Sequence, residues 1–311
     1  MKFSVAIPAY KPDFLADAIA SVAGQSYDGW ELVIVDDCSP ADLRSIAEPW
    51  LGDSRVRYYR NSKNFGAMDV VDNWNRCLEY CTGDYVICMG DDDRLLPNCL
   101  TDLADLIDSY PGLGVYHMRT ELIDEQGQVI KVLEERPQRE SSLEMMWHRW
   151  HDRWPQYIGD FCYSLPLLKQ HGGYYKLPLA WCSDDISAFM AAKADFGFPD
   201  GVANTAQPCF QYRQNSLTIS SNDYTEVKVR TWVVAQGWFR QELGSQAPLR
   251  YKEACRSFYL HEIRDSIKKD TGRNPRRLSY WLAHRKECSL TAAGIIYQCA
   301  KGLFRRALGI L

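Results

Sequence analysis

The sequence has 311 residues, 46 % hydrophobic, 24 % charged and 13 % aromatic, a globular make-up that excludes a disordered, collagen-like or coiled-coil chain. A chain this long can bury enough surface to need neither disulfides nor a structural metal for stability. Its net charge of −4 hides a division, because residues 1–224 hold 19 Lys and Arg against 33 Asp and Glu, whereas residues 225–311 hold 17 against 7. The two regions are expected to face different partners.

The chain opens on Phe3-Ser-Val-Ala-Ile7, a strand and not a signal peptide, since Pro8 cuts it short of an apolar leader. No window approaches the ~18 apolar residues of a membrane-spanning helix. Eleven scattered cysteines, odd in number and without C-x-x-C, suit reduced, buried thiols in a cytoplasmic protein. Cys77 and Cys81, four apart, read as two small core residues.

Further apolar runs at Glu31–Val35, Val56–Tyr59, Tyr85–Met89 and Gly114–His117 predict four more strands. Between them lie helical patterns at Leu15–Gln25, Ala41–Leu51, Met68–Cys81 and Pro97–Ser109. Continuous apolar strands alternating with amphipathic helices predict a doubly wound, mostly parallel, Rossmann-like α/β sheet covered on both faces. Ligands bind such sheets in the crevice outside the carboxyl ends of the strands.

Those ends carry Pro8-Ala9-Tyr10-Lys11-Pro12, Asp36-Asp37-Cys38-Ser39-Pro40, Arg60 to Gly66, and Gly90-Asp91-Asp92-Asp93. No glycine-rich dinucleotide loop follows the first strand, no phosphate-binding P-loop occurs, and Gly112-Leu-Gly114 precedes a strand instead of following one. Three adjacent aspartates repel one another, but they suit a hard divalent cation beside a nucleotide diphosphate. The structural alternative is a turn that places negative charge before the helix near Pro97.

An ordered series of segments then becomes informative: Ser4-Val-Ala-Ile-Pro-Ala-Tyr10, Glu31-Leu-Val-Ile-Val-Asp-Asp-Cys-Ser39, Asn64-Phe-Gly66, Asn73-Trp-Asn-Arg-Cys-Leu78, Gly83-Asp-Tyr-Val86, Asp91-Asp-Asp93 with Pro97, and Gly172-Gly-Tyr174 followed by Ser183-Asp-Asp185. Over residues 1–220 this series resembles the inverting family 2 glycosyltransferases of the GT-A fold. The resemblance implies a donor-binding half at 1–118 and an acceptor-side half at 119–220. It further implies that Pro8, Ala9 and Tyr10 form a loop against the base and ribose, with the Tyr10 ring as a stacking face. Asp37 would accept from a uracil imide, and Asn64 belongs to the same donor-binding set. Asp36 reads as structural, Ser39 as a helix cap, and Arg60 and Lys63 as donor contacts or plain surface charge. Arg76 would point toward the donor phosphates or pair with an acid.

The triplet would be the family's D-x-D element, from which this copy departs because Gly90 stands where the first acid is usual. Asp91 would then meet the ribose or a sugar hydroxyl, with Asp92 and Asp93 as candidate ligands of Mn²⁺ or Mg²⁺. Inversion needs a base for the acceptor hydroxyl, and the resemblance implies Asp185, in preference to Asp184, at the start of a helix. Ser183 and Asp184 can cap that helix as well, and two adjacent carboxylates tend to push one pKa upward. Trp181 is a sugar platform or core. In Gln211-Tyr-Arg-Gln-Asn-Ser-Leu-Thr218, Arg213 is expected near phosphate or the metal-binding acids. Met145, Met146, Trp147, Trp150 and Trp154 recur at helical spacing and predict a core face despite neighbouring histidines.

The basic part, 225–311, reads as a helical extension: Thr225–Leu243, Leu249–Lys269, Arg276–Glu287 and Leu290–Leu311. In the last helix Ala293, Tyr297, Ala300, Phe304, Ala307 and Leu311 line one side and Gln298, Lys301 and Arg305 another. That pattern fits an amphipathic helix on an anionic membrane or a helix packed on the catalytic domain. Nothing resembles a nucleic-acid-binding motif. The expectation is therefore a metal-dependent inverting transferase that moves a sugar from a nucleotide donor, UDP-linked by preference, to a hydroxyl of a surface-glycan or polyprenyl-diphosphate-linked acceptor, peripheral on the inner face of the plasma membrane. The alternatives are a sugar-1-phosphate nucleotidyltransferase, which would need a Gly-rich loop after the first strand, and a non-catalytic glycan- or nucleotide-binding relative.

Overall fold

The computed structural model describes residues 1–215 and 224–309, so Ser216–Thr218 of the expected closing segment and Leu311 of the last helix lie outside the described residues. The chain begins with β1 (Phe3–Ala9), α1 (Leu15–Ala23), β2 (Trp30–Asp36), α2 (Leu43–Ala47), β3 (Val56–Arg60), α3 (Val70–Tyr80), β4 (Tyr85–Cys88), β5 (Arg94–Leu95) and α4 (Cys99–Ser109). The α2 helix starts later than the apolar pattern predicts because Asp42 caps it, its carboxylate accepting from Ser45 N at 3.1 Å. It passes into a 3₁₀ turn at Glu48–Trp50, where Pro49 cannot continue the α-helical bonding.

There follow β6 (Val115–Ile123), β7 (Val129–Val132), β8 (Arg139–Glu140), α5 (Ser142–Trp147), β9 (Phe161–Ser164), α6 (Leu165–Gln170), α7 (Ser183–Ala192) and β10 (Val202–Arg213). The sheet order is β3-β2-β1-β4-β9-β6-β10-β5, with β7 on β6 and β8 on β10. The first four positions are parallel; Val5 stands opposite both Leu32 and Ile87. β9 runs antiparallel to β4 and to β6, and it joins the two halves of the sheet. β10 is parallel to β6 but bulges around Pro208, whose missing N–H cannot serve the ladder.

Alternation along the strands feeds two cores. Phe3, Val5, Ile7, Leu32 and Ile34 pack against α1, α2 and α4, while Ala6, Val33 and Val35 join α3, α5, α6 and α7 on the other face. Met145, Met146 and Trp150 are buried in that second core, as their helical spacing predicts. All eleven cysteines are free, and all but Cys38 are buried.

The extension comprises α8 (Thr225–Leu243), α9 (Leu249–Arg273), α10 (Arg277–Ala283) and α11 (Ala292–Ala307). It is continuous with the second core: Phe239 packs edge-on against Trp150 at 5.0 Å and Phe189 at 5.5 Å. α11 packs on α9 through Ile295, Cys299 and Gly302. A Cβ at position 302 would lie 2.2 Å from the Lys268 carbonyl oxygen, so only glycine allows this approach. The opposite side of α11 leaves Ile296, Tyr297, Phe304 and Leu308 more than half exposed. One side of this helix is thus packed on the protein, and an apolar side is left exposed. Among the described residues no helix is long and apolar enough to cross a membrane.

Candidate active site

A cleft of about 760 Å³ opens at the carboxyl ends of β1, β2 and β4 and runs to the start of α7. Its floor is built by local hydrogen bonding. Asp37, just past β2, donates its own N–H to Ala9 O at 2.8 Å, and its carboxylate accepts from Asn61 Nδ2 at 3.0 Å and Phe65 N at 3.1 Å. Asn64 Nδ2 donates to the Asp37 carbonyl at 2.8 Å. Asp36 is fully buried and accepts from Tyr58 Oη, Ser39 N and the Arg60 guanidinium, so Arg60 is used in structure. Ser39 Oγ ties this loop to the next by donating to Tyr10 O at 2.7 Å. The Tyr10 ring is exposed at the rim, 45 % of its surface open.

The aspartate triplet is arranged around one lysine. Asp91 Oδ2 accepts from the backbone N–H groups of Tyr10 and Lys11, both at 2.7 Å, which fixes the loop after β1. Lys11 Nζ lies 3.3 Å from Asp91 Oδ1 and pairs closely with Asp92 Oδ2. Asn215 Nδ2 also donates to Asp92 Oδ2, at 2.8 Å. Burial works against the Lys11 charge, but Asp91 and Asp92 more than offset it and its pKa is raised. Burial pushes the Asp91 and Asp93 carboxyls up, opposed at Asp91 by Lys11 and reinforced at Asp93 by Asp92.

Gly90 has a reason to be glycine: a Cβ there would lie 2.7 Å from Asp93 Oδ2 and 3.0 Å from Asp92 Oδ1. An acid at this position would displace the carboxylates beside it. Arg213 is buried behind the triplet, its N donating to Asp93 Oδ1 at 3.0 Å and its Nε to Asp92 O at 2.8 Å. It braces the acids and does not line the cleft.

Across the cleft, α7 begins after a strained segment in which Leu179, Ala180 and Cys182 all adopt positive φ. Such strain in non-glycine residues gathers at functional loops, and these residues, with Trp181, form the cleft wall. Asp184 lines the cleft and keeps part of its surface open, whereas Asp185 is buried one residue behind it. Arg149 Nε holds Asp185 Oδ1 at 2.8 Å, and Asp185 Oδ2 is buried with no hydrogen-bond partner. Burial, reinforced by the neighbouring Asp185, pushes the Asp184 carboxyl up to about 8.

The sequence profile of Glycosyl transferase family 2 matches residues 4–163, just over half of the chain. The chain belongs to glycosyl transferase family 2. A curated relative, the GalNAc(5)-diNAcBac-PP-undecaprenol β-1,3-glucosyltransferase of Campylobacter jejuni, is 31 % identical over 104 residues, 33 % of this chain and 33 % of that protein. The matched segments span from 9 % to 40 % of the length of the curated relatives. Among solved structures, Staphylococcus aureus TarS 1-349 in complex with UDP superposes with a TM-score of 0.67 at 17 % identity, covering 98 % of this chain and 88 % of that one. The Pyrobaculum calidifontis mannosyltransferase PcManGT, in complex with GDP-Man and Mn²⁺, superposes with a TM-score of 0.52 at 14 % identity, covering 97 % and 87 %. At these identities the structural likeness establishes the GT-A fold.

In this family 2 glycosyltransferase the cleft gathers Pro8, Tyr10, Asp37, Asn64, Asp91, Asp92, Asp93 and Asp184 from the residues singled out in the sequence. Ala9, Arg213 and Asp185 stand directly behind its wall, buried. Arg76 is the exception. It pairs with Glu79, donates to Tyr80 Oη at 2.7 Å and borders a second, more open depression beside Lys169 and Gly172. An acid three residues along the same helix captures it.

The structure adds wall residues that the sequence motifs did not mark: Arg149, Gln156, Tyr157 and Trp232. Trp232 belongs to α8 and meets Trp181 edge-on at 5.7 Å, so the basic extension contributes to the cleft itself.

Proposed function

We propose that the chain is a metal-dependent, inverting transferase that takes a sugar from a UDP sugar to a hydroxyl of a surface-glycan or lipid-linked oligosaccharide. The observation that carries this reading is a single cleft with Asp37 and the aspartate triplet at one end and Asp184, backed by the buried Asp185, at the other. Tyr10 offers its exposed ring to the base, and Asp37 retains carboxylate lone pairs for an imide N–H. The names of two similar proteins support the donor and acceptor classes: TarS was solved with UDP, and the Campylobacter enzyme's name carries an undecaprenol diphosphate-linked glycan.

The triplet fits a divalent ion of the kind that keeps one or two carboxylates and takes its remaining ligands from substrate phosphates and water. Two observations support the fit. Asp92 and Asp93 both line the cleft, and Gly90 leaves their carboxylates unobstructed; Lys11, which pairs with Asp92, would have to give that oxygen up to the ion. Among the described residues no three acidic, His or Cys side chains converge into a complete cage, so Asp92 and Asp93 would share the ion with the diphosphate. When bound, the ion would offset the charge that builds on the leaving diphosphate.

In the transfer step the acceptor oxygen forms a bond to the anomeric carbon from the face opposite the diphosphate. The bond to the diphosphate oxygen breaks, its electron pair leaves with the nucleotide, and the hydroxyl proton passes to the base. We assign the base to Asp185, directly behind Asp184, whose Oδ1 is anchored by Arg149 while its buried Oδ2 has no hydrogen-bond partner. Burial and the adjacent Asp185 push the Asp184 carboxyl up, so the pair is set to hold one proton between its two carboxyls. Lys11 remains near the diphosphate as a second positive charge.

The exposed Ile296, Tyr297, Phe304 and Leu308 beside Lys301 and Arg305 support attachment to an anionic membrane, on the cytoplasmic side where a nucleotide sugar and a lipid-linked acceptor meet. The deciding experiment screens UDP, GDP and dTDP sugars with Mn²⁺ for hydrolysis and thermal stabilisation. Stabilisation by UDP sugars, lost in Asp92→Asn, is the expected result; no response to any nucleotide sugar would reject the reading.

A further inference from the structure

Gln156 is 4 % exposed, yet neither end of its side-chain amide has a hydrogen-bond partner, and the residue lines the cleft. An amide carries one acceptor and two donors, and leaving them unsatisfied in a buried place costs free energy. Native structures rarely keep such a group without a use for it.

The backbone on both sides is pinned. Arg136 Nη2 donates to Pro155 O at 3.1 Å, and Tyr157 N donates to Asp160 Oδ1 at 3.2 Å. The next ring, Tyr157, stacks on Tyr212 at 4.0 Å and feels the charges of both Arg149 and Asp93. Residues 156–157 therefore run along the wall between the acids assigned to the diphosphate and the arginine that holds the base. In a displacement, the sugar ring that changes partners lies between leaving group and base.

We infer that Gln156 is a specificity-determining residue of the donor-sugar subsite, its amide hydrogen-bonding a hydroxyl or acetamido substituent of the transferred sugar. This rests on the nucleotide-sugar reading above and adds the group that tells one sugar from another. A site built to pair with a polar substituent discriminates strongly against a donor lacking it, because its own buried group is then left unpaired.

The test titrates UDP, UDP-glucose and UDP-N-acetylglucosamine into wild type and Gln156→Leu by calorimetry, and follows donor hydrolysis without acceptor. In wild type at least one UDP sugar binds more tightly than UDP. In Gln156→Leu that increment and kcat/KM for hydrolysis fall at least tenfold, while the Kd for UDP stays within twofold and Tm does not drop. An unchanged increment, or equal loss of UDP and UDP-sugar affinity, would overturn the assignment and leave the donor reading standing. Failure of wild type to bind any of the three would overturn both.

Discussion

Replacing Asp184 by asparagine removes one half-buried carboxyl whose proton the fold retains. The unfolded chain loses that proton near pH 3.8, whereas the folded chain keeps it up to about 8. Between those values the native state binds one more proton than the unfolded state, so stability falls as pH rises, by about 1.4 kcal/mol per pH unit. Asparagine does not titrate and can still accept from Asp185 N, the bond that the carboxylate makes at 2.9 Å. Asp184→Asn should therefore match wild type closely at pH 4 and gain on it steadily, by about 3 kcal/mol between pH 5 and pH 7. Above about pH 8 the difference should level off. Urea unfolding at unit pH intervals from 4 to 9 measures this directly, with equal m-values as the check that the same surface is exposed. Wild-type and variant stabilities that run parallel from pH 5 to pH 8 would refute a proton held at Asp184 by the folded chain.

Three further outcomes follow from the same geometry. Asp185→Asn should lower kcat by about 10²–10⁴ with the Kd for UDP unchanged; because it also leaves the buried Arg149 charge without its counter-charge, the double variant Asp185→Asn with Arg149→Met separates lost chemistry from lost folding, and turnover near wild type in either would remove Asp185 from the mechanism. Gly90→Asp, which restores the usual first acid, should lower stability by about 1–3 kcal/mol through crowding against Asp92 and Asp93, read as a fall in Tm, and should weaken Mn²⁺-dependent UDP binding; improved binding would contradict the packing seen here. Phe304→Asp should abolish co-sedimentation with phosphatidylglycerol vesicles at low salt without changing donor hydrolysis, and retained binding would exclude the outer face of α11 as the membrane contact.

Much of the donor half was legible because its signals are local. Apolar runs of strand length ending in acids are enough to predict β1 to β4 and the side of the sheet on which chemistry gathers. β9 was not legible: Phe161–Ser164 is four residues long, and only its pairing with β4 and β6, distant in sequence, makes it a strand. β10 was hidden by Pro208, which breaks the alternation where the strand bulges. The predicted fifth strand stops at His117, but the chain continues to Ile123 because Arg119 to Ile123 gain partners in β7 and β10.

Motif reading picks out residues that share a cleft, but not the direction in which each side chain points. Arg76 and Arg213 look alike in sequence as cations near a phosphate site. Arg76 is captured by Glu79 on its own helix, and Arg213 is turned inward to brace the triplet with backbone and side-chain bonds. Lys11 follows the loop residues Pro8 to Tyr10 with no pattern to distinguish it, yet it is the cation against which Asp91 and Asp92 are set. The charge division of the chain has a related lesson. The basic extension reads as a separate appendage, but its apolar residues complete the second core and Trp232 enters the cleft wall. A membrane or acceptor that engages α11 would thus press on helices continuous with the wall facing Trp181, and the charge of the extension and the chemistry of the cleft belong to one packed body.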